Sequence, residues 1–104
     1  MKFGLSKETT QKINAIFEKY SEIEKVVVYG SRAKGNYREG SDIDITLMGN
    51  KLTHSLLLKI IGELEELKTP YLYDVSLFTE LHSPDLESHI QRVGQIFYQK
   101  VGAK

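Results

Sequence analysis

Tyr29-Gly30-Ser31-Arg32-Ala33-Lys34-Gly35-Asn36-Tyr37-Arg38-Glu39-Gly40-Ser41-Asp42-Ile43-Asp44-Ile45 is the stretch whose reading decides the fold. An apolar run, Val26-Val27-Val28-Tyr29, stops at Gly30-Ser31. A polar loop with Gly35 and Gly40 follows, and Asp42-Ile43-Asp44 then enters a second apolar run. β-Branched runs bounded by glycine read as strands, here about Glu24 to Tyr29 and Ser41 to Met48, the second closed by Gly49-Asn50. Between them Ser31 to Asn36 has room for one helical turn.

The second strand carries the chemistry. Side chains alternate along a strand, so Asp42 and Asp44 share one face while Ile43, Ile45 and Leu47 enter a core on the other. Neighbouring carboxylates repel unless a cation lies between them. Magnesium meets that need, because it takes oxygen ligands from one or two carboxylates and leaves positions for substrate phosphates. Gly30 lets the backbone approach a ligand closely. A helix starting near Ser31 would turn free N–H groups toward an anion, and the Ser31 hydroxyl can donate to a phosphate oxygen. Arg32, Lys34 and Arg38 bring positive charge to the same loop, as phosphate contacts or as ordinary loop charges. A triphosphate beside bare carboxylates would be repelled, so the two halves make sense together only with metal.

The pattern Gly30-Ser31-x-Ala33-x-Gly35-x5-Ser41-Asp42-Ile43-Asp44 resembles the signature of the nucleotidyltransferase superfamily that includes DNA polymerase beta. Within it, the likeness is to the minimal bacterial and archaeal MNT-type proteins, the MntA-like antitoxin branch. It covers residues 10 to 100 in motif order and size, and Tyr73-Asp74-Val75 resembles the family's third metal-binding carboxylate. The resemblance implies that Asp42, Asp44 and Asp74 are catalytic and hold two magnesium ions. It implies nucleotide contacts from Gly30 and Ser31, with Arg32 and Lys34 beside them. The implied reaction moves a nucleoside monophosphate, AMP from ATP, to a hydroxyl of a protein or RNA and releases pyrophosphate. The implied partner is a helical HEPN-domain protein, the toxin of a two-gene toxin–antitoxin pair in which the nucleotidyltransferase is the antitoxin. A homodimer is another way to complete the site. The implied fold is a small mixed sheet with helices packed on it.

Composition sets the outer bounds. With 104 residues there is material for one domain, 1–104, and one core. Fourteen basic residues balance 14 acidic ones, which argues against strong non-specific nucleic-acid binding. Cysteine is absent, so disulfides and a thiolate zinc site are excluded. The first residues lack the apolar core of a signal peptide, and no run approaches the roughly 20 residues of a membrane span. The expectation is a cytoplasmic protein with no membrane association.

Around the central stretch, Ser6 caps a helix from about Lys7 to Ser21, with Ile13, Ile16, Phe17 and Tyr20 at helical spacing. Thr53 caps a second, to about Leu67, with Leu57, Ile60, Ile61, Leu64 and Leu67 on one face. Lys68-Thr69-Pro70 breaks it, and Tyr71 to Phe78 reads as a third strand. There Asp74 shares parity with Leu72, Ser76 and Phe78. Ser83-Pro84 opens a last helix to about Lys100, with Leu86, Ile90, Val93, Ile96 or Phe97, and Val101 as its stripe and Gly102-Ala103-Lys104 as a frayed tail. The order α-β-(short α)-β-α-β-α predicts an α/β (α+β) domain, with strand direction left open by the pattern. His54, His82 and His89 show no metal spacing, and no nucleophile elbow or Walker lysine is present. Two other readings share the residues. A binding module could keep them while only neutralising or scaffolding a partner, and a metal-dependent phosphohydrolase would use the acidic pair but not the Gly-Ser turn.

Overall fold

The structure, a computed structural model, describes residues 2–101; the expected tail at Gly102 to Lys104 lies outside them. Helix α1 (Lys7–Glu18) leads into strand β1 (Lys25–Tyr29), the short helix α2 (Gly30–Lys34) and strand β2 (Ile43–Met48). Helix α3 (His54–Glu66), strand β3 (Tyr73–Leu77), a 3-10 turn (Phe78–Glu80), helix α4 (Pro84–Val93) and strand β4 (Gln95–Gln99) complete it. Three helices start as the sequence predicts. The hydroxyls of Ser6, Thr53 and Ser83 accept from the backbone N–H of Thr9, Leu56 and Leu86 at 3.1, 3.2 and 3.3 Å. Each satisfies an N–H that the helix leaves without a partner.

The four strands form one sheet in the order β3-β2-β1-β4. β1 runs antiparallel to β2 and β4, and β2 runs parallel to β3, so the sheet is mixed. Alternation sorts the two faces. Val26, Val28, Ile45 and Leu47 join Ile13, Ile16 and Phe17 of α1 and Leu57, Ile60 and Leu64 of α3 in the main core. On the opposite face Val27 and Tyr29 pack with Ile90 of α4, flanked by Met48 and Phe78. Residues such as Phe17, Ile45 and Leu64, 0–1% exposed, each contribute about 1.5–3 kcal/mol by leaving water.

The C-terminal expectation is corrected. The helix that was to run to Lys100 ends at Val93, and residues 95–99 form β4. Gly94 makes the change of direction possible: a side chain there would put Cβ 2.3 Å from the Ile90 carbonyl oxygen and 2.6 Å from Val27 Cγ1. The Gly94 N–H still donates to Ile90 at 2.8 Å, and the chain then turns onto β1. A register shift between Val26 and Val27 lets consecutive Phe97 and Tyr98 both meet Phe17, with ring centroids 6.2 and 5.7 Å away. Ile96 and Val101, placed in the expected stripe, are exposed. The strand bounds also tighten: β2 begins at Ile43, leaving Ser41 and Asp42 in the preceding loop, and β3 spans Tyr73–Leu77.

Candidate active site

The fold lines up three elements at one end of the sheet. β1 ends at Tyr29, whose register partner on β2 is Asp44, whose partner on β3 is Asp74. These three occupy one row, about 4.8 Å from strand to strand. The row behind it is Val27, Thr46 and Ser76, where the Ser76 hydroxyl donates to Thr46 Oγ1 at 3.0 Å and Thr46 is fully buried. The chemistry-bearing face is therefore polar near its open end and sealed beneath.

Gly30, the next residue after Tyr29, presses against Asp44. Its φ is +73°, and a Cβ there would stand 2.5 Å from Asp44 Oδ2. Two independent constraints thus demand glycine: a backbone region that side chains disfavour, and a carboxylate in the space a side chain would fill. The glycine and the aspartate of the sequence signature touch.

The electrostatics of this corner are one-sided. The Asp44 carboxyl is pushed above its usual range, first by burial, then by the charges of Asp74 and Asp42, with Arg32 opposing. The Tyr29 phenol is also raised, by burial first and by Asp74, with Asp44 adding and a hydrogen bond with Ser76 working the other way. A cation delivered here would relieve both. Asp44 and Asp74 fit magnesium, which takes one or two carboxylates alongside phosphates. Asp42 is exposed in the loop and felt electrostatically. Among the described residues, no three His, Cys, Asp or Glu side chains converge as a complete metal shell.

Arg32, expected beside the nucleotide, has its guanidinium held by backbone carbonyls of the protein itself. It is 3% exposed, and its guanidinium faces the protein. Nε donates to the carbonyls of Ser41 and Asp42 at 3.2 and 3.3 Å, Nη2 to Ser41 at 2.7 Å, and Nη1 to Phe3 at 2.9 Å. The rings of Tyr37 and Tyr71 lie 5.2 and 5.0 Å from its Cζ. A planar fork with fixed donors suits this work; a lysine would not reach all three carbonyls. Arg32 thereby ties α2, the Asp42 loop, the N-terminus and the entry to β3 together. Tyr37 packs on this arginine.

The remaining expected residues are Ser31, half-buried in the first turn of α2, and Lys34, exposed at its end with Arg38 exposed in the loop beyond. Two residues were missed. Tyr29 sits in the carboxylate row, and strand parity counted back from Gly30 would have pointed to it. Gln95 Nε2 donates to the Ala33 carbonyl at 2.8 Å, holding α2 to β4; with β4 read as helix, no sequence signal marked it.

The family described as "Polymerase beta, Nucleotidyltransferase" matches residues 11–101. The chain belongs to this nucleotidyltransferase family. A 39-residue stretch is 46% identical to a Methanocaldococcus jannaschii protein named as a protein adenylyltransferase, covering 36% of this chain and 39% of that protein. Among solved structures, a toxin–antitoxin with AMP-PNP superposes with a TM-score of 0.71 at 17% identity, over 88% of this chain and 74% of that one. A tri-AMPylated Shewanella oneidensis HEPN toxin in complex with MNT antitoxin superposes at 0.67 and 14%, over 92% and 74%. At such identities the likeness establishes the fold, which is α+β and shared with chains of MNT toxin–antitoxin complexes. Among the described residues no helix is long and apolar enough to cross a membrane.

Proposed function

We propose that this chain is a single catalytic domain that transfers AMP from ATP to a hydroxyl of a protein or RNA acceptor, releases pyrophosphate, and serves as the antitoxin of a HEPN toxin. The observation that carries the reading is the contact between the signature's two halves: the Asp44 carboxylate against Gly30, with Asp74 beside it in register. Asp42, Asp44 and Asp74 are the residues that would hold two magnesium ions. Bound there, the metal would lower the pKa of the attacking hydroxyl and offset charge on the leaving phosphates. The chain's own part is to position. Gly30 lets the Asp44 carboxylate lie against the end of β1, and Ser31 would donate to a terminal phosphate oxygen. Asp74, on the terminal strand beside Asp44, would help accept the proton of the acceptor hydroxyl. Lys34 and Arg38, exposed at the end of α2 and in the loop beyond it, bring positive charge that would attract the triphosphate. The names of the compared proteins, an adenylyltransferase and an AMPylated toxin with its antitoxin, support AMP and a HEPN partner.

The test is incubation with magnesium and each labelled nucleoside triphosphate, with and without cell lysate, scored for label on protein or RNA and for pyrophosphate. Transfer that the double variant Asp42→Asn/Asp44→Asn abolishes supports the reading, and Ser31→Ala should weaken transfer by about tenfold, one hydrogen bond's worth. Metal-dependent nucleotide binding without transfer under any condition would favour the binding-module reading. Free phosphate in place of pyrophosphate would favour hydrolysis.

A further inference from the structure

The tight turn at residues 2–5 is the feature that neither the core nor the reaction explains. Lys2 and Leu5 pair across it, the Leu5 N–H donating to the Lys2 carbonyl at 2.9 Å and the Lys2 N–H to the Leu5 carbonyl at 3.3 Å. Between them Phe3 and Gly4 both have positive φ, +57° and +76°. Turns of this kind favour Asn-Gly or Gly-Gly, because in the left-handed region a side chain's β-carbon crowds a backbone carbonyl. Lys68, also at positive φ, directly follows the α3 C-cap, where that conformation is common; Phe3 follows no helix. A residue held this way persists only where its surroundings fix it. The Phe3 carbonyl accepts from Arg32 Nη1 at 2.9 Å, and the Phe3 ring stacks on Phe97 with centroids 5.9 Å apart. Gly4 lies so close to its neighbours that a β-carbon would stand 2.5 Å from the Tyr37 ring and 2.8 Å from Arg32 Nη1.

The same guanidinium continues into the candidate site. Its Nε and Nη2 hold the carbonyls of Ser41 and Asp42, just before β2 begins at Ile43. Asp44 and Asp74 are carried by strands in register, whereas Asp42 is exposed in the loop. A planar fork turns as one body, so whatever fixes Nη1 also fixes Nε and Nη2. We propose that the Phe3-Gly4 turn is a positioning element for Asp42: by holding one end of the Arg32 fork it sets where the Ser41-Asp42 backbone, and with it the Asp42 carboxylate, stands when metal binds. Metal affinity then depends on the turn being docked, while Asp44 and Asp74 keep their places without it. The inference rests on the metal assignment made above for Asp42.

The experiment reads the site without catalysis. Manganese, a paramagnetic substitute for magnesium, is titrated into the full chain with AMP-PNP and followed by electron paramagnetic resonance, and amide hydrogen exchange is measured on metal-free protein. Gly4→Ala should speed exchange across residues 38–43 and weaken manganese binding about tenfold, the size expected when the outer support of a ligand is lost. In an Arg32→Lys background Gly4→Ala should add little, because the route through the fork is already cut. Ile60→Val, fully buried on α3, lowers stability away from the turn and should change neither readout. Should Gly4→Ala not fold, Phe97→Leu, which removes the ring stacked on Phe3, carries the same expectation at smaller size. The proposal is overturned if exchange at 38–43 or manganese affinity stays at the wild-type value, if Ile60→Val shifts both as far, or if the effects of Gly4→Ala and Arg32→Lys add in full. Wild-type protein that binds no manganese would sink the metal assignment and this proposal together, whereas normal binding that the turn variants leave intact would sink the proposal alone.

Discussion

The two faces of this sheet are built from the same strands and do opposite things. On the α1/α3 face Ile43, Ile45 and Leu47 of β2 are each about 1% exposed. On the other face the intervening positions carry Asp44 and Thr46, and across β3 Asp74 and Ser76. The apolar face holds the strands rigid, and that rigidity lets the polar face keep Gly30, Asp44 and Asp74 crowded. Crowded carboxylates without a cation cost stability; the large core opposite tolerates them.

Substitutions on the two faces should therefore separate cleanly. The largest effect is expected for Asp44→Asn, which should reduce transfer on the order of a thousandfold by removing a metal-binding charge. In metal-free protein the same variant should be no less stable at neutral pH. Burial and Asp74 raise the Asp44 carboxyl, so its ionised form costs stability above its unfolded pKa. That difference should vanish in acid, where both states are protonated. Chemical denaturation of wild type and variant at pH 7 and pH 3 checks both signs.

Ile45→Ala, one position along the strand and facing the other way, should invert the pattern. It should cost about 2–5 kcal/mol in a denaturant melt while folded protein transfers nearly normally. Strong loss of transfer at low temperature, where the variant is folded, would break the division between faces.

Arg32 crosses that division. Arg32→Lys should cost about 3 kcal/mol, because charged hydrogen bonds to buried carbonyls are lost. It should also raise the magnesium concentration needed for half-maximal transfer, since the Ser41-Asp42 backbone loses its anchor. A purely stabilising role would leave the magnesium titration unchanged.

The smallest effect lies at the rim of the apolar face. Glu63 accepts from Lys19 and from the Tyr20 hydroxyl, bonds that lower its pKa and push the Tyr20 phenol up to about 12. A depressed carboxylate stabilises above its unfolded pKa, and the contribution is lost as pH falls through the folded value. Glu63→Gln should thus lower stability by under about 1 kcal/mol at pH 7, with the gap closing below roughly pH 4. A gap that widens in acid would reverse the assignment.

The sequence alone determined whatever obeys a short period. Alternation at residues 43–47 fixed which side of β2 is core and which carries carboxylate, and Ser6, Thr53 and Ser83 marked three helix starts correctly. Spacing in the signature implied that Gly30 and Asp44 belong to one site. Tertiary structure decided what depends on partners far along the chain. Arg32 could not be read as buried, since its partners, Phe3, Ser41 and Tyr71, are brought to it only by folding. Residues 95–99 resisted for a related reason. Gln-Ile-Phe-Tyr-Gln fits the end of a helix or an edge strand equally well by local preference, and what settles it is the vacancy beside β1 and the close approach that Gly94 permits. Local preferences are fractions of a kcal/mol per residue, whereas a strand's hydrogen bonds and buried rings are worth several together, so the distant partner wins.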